Sequence, residues 1–264
     1  MDRDAETRLL IWDFDGTLGY RHGGAWSAAL LEVLRRQLPG IEATDNHFRP
    51  YLQTGFPWHH PERPHPGIEA TVDHFRPYLQ TGLPWHHPER PHAEIETAET
   101  RWARLGPLFQ RAFQAVGRDV GATVGPSLAR SLAEQVRPTY TDPARWRLFE
   151  DTLPTLDRLS ERGWTHVLLS NHVPELREIL DHLGLTPRMA RIFNSAETGY
   201  EKPHPRAFEM VLESFPDPAA VWMVGDNPQA DVAGAEAVGI PAILVRRTGA
   251  GRLDVEGWGL SGAG

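Results

Sequence analysis

An apolar run, Leu9-Leu10-Ile11-Trp12, leads straight into Asp13-Phe14-Asp15-Gly16-Thr17-Leu18, and this junction restricts the fold more than any other segment. A short apolar run that ends in a glycine turn reads as a buried parallel strand. Two carboxylates one residue apart at its carboxyl end then sit on the lip of the sheet, where open α/β folds bind ligands. Gly16 permits backbone angles that Cβ-bearing residues avoid, and the Thr17 hydroxyl with the turn amides could meet an anion. The same residues also suit an Asp-rich turn capping a following helix, and the segment alone leaves both readings open.

The rest of the chain alternates in a way that favours the sheet-edge reading. Trp26, Ala29, Leu30, Val33, Leu34 and Leu38 follow helical spacing up to Pro39-Gly40. Residues from about Ile95 to Val116 and from Pro126 to Val136 are again helical in period, the latter ending near Pro138. Beyond them the pattern predicts helices over Thr152–Arg162, Pro174–Leu183, Pro205–Phe215 and Pro228–Val238. Strands are predicted at Trp164–Leu169, Ile192–Phe193, Ala220–Val224 and Ala242–Val245. This alternation predicts an α/β fold, a Rossmann-like parallel sheet sandwiched by helices, with a mainly helical middle segment. The tail from 248 to 264 is Gly-rich and is expected to be loosely held.

The middle segment contains a tandem repeat. Residues 40–66 and 67–93 differ only at Asp45/Val72, Asn46/Asp73, Phe56/Leu83 and Pro66/Ala93. A solenoid needs three or more units to bury a continuous core, so two Pro- and His-rich copies read as a tandem duplication. Each copy suggests a short helix, His47–Leu52 or His74–Leu79, followed by a Pro-rich loop. The His59-His60 and His86-His87 runs, with His65 and His92, invite a metal-binding reading. Their Pro-broken spacing fixes no coordination geometry, so a solvent-exposed loop is the preferred reading. Trp58 and Trp85 suit either cap residues near a substrate or anchors beneath a loop.

Each later strand empties into polar residues. Trp164–Leu169 runs into Ser170-Asn171-His172, where a hydroxyl and amides could hold phosphoryl oxygens. Ala220–Val224 runs into Gly225-Asp226-Asn227-Pro228-Gln229-Ala230-Asp231, bringing two more carboxylates to the same edge. Between them, Lys202 stands beside Pro203 at a helix start. Four convergent carboxylates repel one another unless a cation offsets them, and an oxygen-only donor set suits Mg²⁺. Taken singly, Ser170-Asn171 would be a turn, Lys202 a solvated lysine and Asp231 a helix-surface acid. Four such coincidences in register are harder to accept than one phosphate site. His172 is expected to pack more than to face a substrate.

In these motifs the chain resembles a haloacid dehalogenase superfamily hydrolase of the capped, phosphatase-like subclass with a C1-type helical cap. The resemblance covers residues 8–20 and about 150–247, with all four motifs in order. It implies a catalytic core over 1–19 and 150–247, and a cap over 20–149 containing the duplication. It makes Asp13 the nucleophile that is transiently phosphorylated and Asp15 the general acid/base. Ser170, Asn171, Gly16 and Thr17 would bind phosphate, and Lys202 would balance charge between nucleophile and phosphate. Mg²⁺ would be held by Asp13, Asp226 and the Asp15 backbone carbonyl, with Asp231 in support. The dehalogenase branch lacks the second aspartate, so Asp15 points to phosphate chemistry.

The charge balance agrees. With 27 basic and 35 acidic residues the formal charge is −8, which offers no general attraction to nucleic acid or anionic membrane. The expected ligand is a small phosphorylated substrate, with no obligate protein partner. The absence of cysteine excludes thiolate and disulfide chemistry. The acidic N-terminal residues lack an apolar core, so a cytoplasmic protein is expected. The leading expectation is a Mg²⁺-dependent phosphomonoester hydrolase. A phosphosugar mutase of the same superfamily and a non-catalytic binding module using the duplicated segment are the alternatives.

Overall fold

Leu9, Leu10, Ile11 and Trp12 are all buried, and they form β1 (Arg8–Trp12) at the centre of the sheet in a computed structural model describing residues 7–53, 98–248 and 252–254. β1 is followed by β2 (Gly19–Arg21), α1 (Trp26–Gln37), α2 (Asp45–Gln53), α3 (Ala98–Asp119), α4 (Pro126–Thr141) and β3 (Trp146–Leu148). Then come α5 (Thr152–Glu161), β4 (Trp164–Ser170), α6 (Leu176–His182), β5 (Arg191–Asn194), α7 (Pro205–Ser214), β6 (Ala220–Gly225) and β7 (Ala242–Leu244). The five-stranded sheet has the order β5-β4-β1-β6-β7, and all its pairings are parallel.

The near-continuous apolar strands follow from burial on both faces. Leu10, Trp12, Leu168 and Val224 face a layer containing Leu156, Leu176, Ile179 and Leu180. Leu9, Ile11, Val167, Leu169 and Met223 face the opposite layer with Phe208, Val211, Ala235 and Ile240. From β1 the chain steps to β4 and β5 on one side and later to β6 and β7 on the other. The strand order therefore reverses at the carboxyl end of β1, the position where such sheets open a crevice.

Helices α1 to α4 enclose a core of their own. Leu30, Val33, Leu34, Phe48, Phe109, Phe113, Leu132 and Val136 are buried together, and Phe48 meets Phe113 edge-on. This helical insert leaves the sheet layer through β2 and returns through β3, which pair antiparallel with Arg21 opposite Trp146. Against the sheet layer, Trp26 stacks on Tyr140 at 3.7 Å between ring centroids, and Tyr140 meets Trp146 edge-on.

Several boundaries differ from those the periodicity predicts. α3 crosses Pro107 as its period predicts but runs past Val116 to Asp119, and α4 passes Pro138 to Thr141. Proline weakens a helix interior by removing one donor, but Phe109, Thr139 and Tyr140 beyond these prolines are buried and tertiary packing prevails. The predicted Pro228–Val238 helix is a π-helical turn, Pro228–Ala233, continued by Gly234–Glu236. β2 and β3 are too short and too far apart in sequence to leave a periodic signature. The second repeat copy, residues 54–66 of the first, and the histidines and tryptophans singled out at 58–60, 65, 85–87 and 92 lie outside the described residues, as does most of the tail. Among the described residues no helix is long and apolar enough to cross a membrane.

Candidate active site

The carboxyl ends of β1, β4 and β6 converge on one cavity of about 320 Å³. It is lined by Asp13, Asp15, Gly16, Ser170, Asn171, Lys202, Asp226, Asn227, Ala230 and Asp231. Every site residue expected from the sequence lines it except Thr17, which touches it through Asp13. Asp13 is buried at the end of β1, its backbone N–H donating to the Val224 carbonyl at 3.0 Å, so the central strand itself aims the carboxylate.

Asp13 is surrounded by donors. Lys202 Nζ donates to its Oδ1 at 2.7 Å, Ser170 Oγ to Oδ1 at 3.4 Å, and Thr17 Oγ1 to Oδ2 at 3.4 Å. Lys202 Nζ also donates to Asp231 Oδ1 at 2.6 Å, so the ammonium is buried between two carboxylates. Burial works against its charge, but Asp13 and Asp231 outweigh it and hold Lys202 above the ordinary lysine value.

The backbone under Lys202 is also fixed. The Asn171 side chain donates to the Lys202 carbonyl and accepts from the Lys202 N–H, each at 2.8 Å. Its side-chain amide is thus engaged with the lysine backbone. Asp231 is set by the π-helical turn: the Asn227 side chain accepts from Gln229 and Ala230 N–H at 3.0 and 2.9 Å, and the Asn227 N–H donates to Asp231 Oδ2 at 2.9 Å. The Val232 N–H reaches back to the Asn227 carbonyl at 3.3 Å, the wide spacing that rotates Asp231 inward.

The cluster is strongly acidic. Burial first, then the Asp13 charge, raises Asp15 to about 7 against the opposing Arg21. Burial and the charges of Asp13, Asp231 and Asp15 raise Asp226, while burial also raises Asp231 against the pull of Lys202. Among the described residues, carboxylate oxygens of Asp13, Asp226 and Asp231 come within 4.8 Å of one another. This is an all-oxygen donor set of the kind hard divalent cations take. Two glycines permit the crowding. A Cβ on Gly16, which has φ +92°, would lie 2.1 Å from Asp226 Oδ2, and one on Gly225 would lie 2.2 Å from Asp231 Oδ2.

Other buried groups close to the site carry little local signal in the sequence. His172 packs among Phe14, Tyr140 and Trp146, and neither ring nitrogen has a hydrogen-bond partner. Tyr140 is held well above its ordinary value, by burial first and the Asp15 charge second. Glu201 forms a buried ion pair with Arg101 of α3 at 3.6 Å. His172 is singled out in the sequence and expected to pack, and Glu201 stands next to the singled-out Lys202; Arg101 and Tyr140 reach the site through tertiary packing alone.

The relatives of the chain fit this arrangement. A phosphoserine phosphatase from Thermus thermophilus is 40% identical over 112 residues, covering 41% of this chain and 44% of that protein. A ribulose-1,5-bisphosphate 5-phosphatase from Halopiger xanaduensis is 36% identical over 99 residues, covering 37% of this chain and 41% of that protein. The matches thus span less than half the length of these relatives. The crystal structure of the HAD-hydrolase YfnB from Bacillus subtilis shares the fold with a TM-score of 0.58 at 18% identity, over 90% of this chain and 86% of that one. The haloacid dehalogenase-like hydrolase family model matches residues 7–239, and with a parallel sheet whose carboxyl edge gathers Asp13, Asp15, Lys202 and Asp226, this chain belongs to that family.

Proposed function

We propose that the chain is a Mg²⁺-dependent phosphomonoester hydrolase that works on a small phosphorylated metabolite through an aspartyl-phosphate. The observation that carries this reading is Lys202 Nζ, placed 2.7 Å from Asp13 and 2.6 Å from Asp231 at the floor of the cavity. A carboxylate approaches a phosphate dianion only where positive charge offsets their repulsion, and a buried ammonium beside the attacking oxygen supplies it.

In this mechanism an Asp13 oxygen attacks phosphorus. Asp15, held near neutrality at about 7, donates its proton to the leaving ester oxygen as the P–O bond breaks. Ser170 and Lys202 hold the phosphoryl oxygens. Asp15, now a carboxylate, then takes a proton from water as that water attacks phosphorus and releases Asp13 and inorganic phosphate. Asp13, Asp226 and the Asp15 carbonyl would hold Mg²⁺, with Asp231 within reach. When bound, the ion neutralises phosphoryl charge and orients its oxygens. Helices α1 to α4 serve as a cap over the cavity, and the names of the relatives, phosphatases of phosphoserine and of ribulose-1,5-bisphosphate, support a small phosphate ester as substrate.

Hydrolysis of an aryl phosphate provides the test. Release of phosphate that requires Mg²⁺, stops with EDTA and disappears in Asp13→Asn is the expected result. Activity that survives Asp13→Asn would overturn the mechanism.

A further inference from the structure

We propose that Glu201 is a positioning residue through which the seated helical insert fixes Lys202, with Arg101 of α3 as its anchor. Both residues are buried, at 4% exposure each, and their pair spans the boundary between the insert and the sheet layer. Glu201 immediately precedes the lysine that sits between Asp13 and Asp231. Its carbonyl accepts from the His204 N–H at 2.8 Å, closing the turn on which Lys202 stands.

The carboxylate also faces the sheet. Ser195 Oγ donates to Glu201 Oε1 at 3.5 Å and accepts from the His172 N–H at 3.3 Å. His172 lies against Phe14, the residue between Asp13 and Asp15. One guanidinium from the insert thus meets a carboxylate tied to both the lysine turn and the packing beneath the acidic junction. A buried carboxylate is tolerated only when its charge is compensated. Withdrawal of α3 takes the Arg101 charge away from the Glu201 carboxylate and drives the lysine turn to rearrange so that the carboxylate reaches water. Seating of the insert and placement of Lys202 become one event.

Only the kinetic arm of the test rests on the phosphatase reading. Arg101→Met, Arg101→Lys, Glu201→Gln and the double variant Arg101→Met/Glu201→Gln are compared with wild type by amide hydrogen exchange and aryl phosphate kinetics. In Arg101→Met, exchange over residues 199–204 is expected to rise by about tenfold or more while α5 is unchanged. kcat is expected to fall on the order of ten- to a hundredfold with KM within about threefold, since the loss is of lysine placement. Arg101→Lys restores most of kcat, and the double variant is no worse than the worse single one, because both residues act through one contact. Unchanged exchange at 199–204, or kinetic losses that multiply in the double variant, would overturn the proposal. Should Arg101→Met fail to fold, Glu201→Gln against Arg101→Lys reads the same two quantities. A wild type without phosphatase activity would remove the functional reading, and the exchange data would still decide the coupling.

Discussion

At the residue scale the site is a balance of charges held out of water. Lys202 compensates Asp13 and Asp231, and Asp226 is left with burial and acidic neighbours that favour its protonated form. His172, a few ångströms below, has a separate consequence. Burial, reinforced by the Arg101 charge, lowers it to about 3. A histidine whose folded value lies below its unfolded value of 6.5 stabilises the fold fully above that pH and loses this contribution as pH falls. Between pH 7 and pH 5 this group is expected to remove about 2 kcal/mol of stability. Urea denaturation at both pH values checks this, with His172→Leu expected to flatten the difference. An equal loss in the variant would assign the acid sensitivity elsewhere.

At the element scale, strand ends do the positioning. β1, β4 and β6 present Asp13, Ser170 and Asp226 side by side because their parallel pairing aligns Trp12 with Leu168 and Val224. That much was legible, since a run of apolar residues followed by a polar turn is a local signal. What could not be read depends on partners far away in the chain: the three-residue strands β2 and β3, the continuation of α4 through Pro138, and the Arg101–Glu201 pair. The turn at Pro228–Ala233 was legible as helix and illegible as π, because its wide spacing lies in the Val232 N–H reaching the Asn227 carbonyl while the Asn227 N–H donates to the Asp231 carboxylate. Asn227→Ala removes two cap contacts and is expected to cost about 1 kcal/mol in denaturation experiments. It should also reduce aryl phosphate turnover by loosening the turn that carries Asp231, and unchanged turnover would detach the cap from the site.

At the scale of the whole molecule, two packed cores share one chain. The insert packs Phe48 of α2, a helix of the first copy, against Phe113 of α3, so that copy is held to the insert's core by contacts of its own. Deleting Gly67–Ala93 removes the second copy of the 27-residue unit and leaves a single unit ahead of α3. The expected outcome is a folded protein with equal or higher activity, read by thermal melting and aryl phosphate turnover. Loss of folded protein would show that both copies are structural.

The β2–β3 ribbon explains why the catalytic layer should be indifferent to that change. Arg21 and Trp146, the points where the chain departs and comes back, are opposite each other on neighbouring strands. From the sheet's side the insert is a closed loop with clamped ends, and the entropy of closing a loop grows only logarithmically with its length. Chain can therefore be added or lost far from the ribbon while the spacing of Asp13, Ser170, Lys202 and Asp226 stays fixed. Such a chain can lengthen what surrounds its substrate without reworking the chemistry beneath.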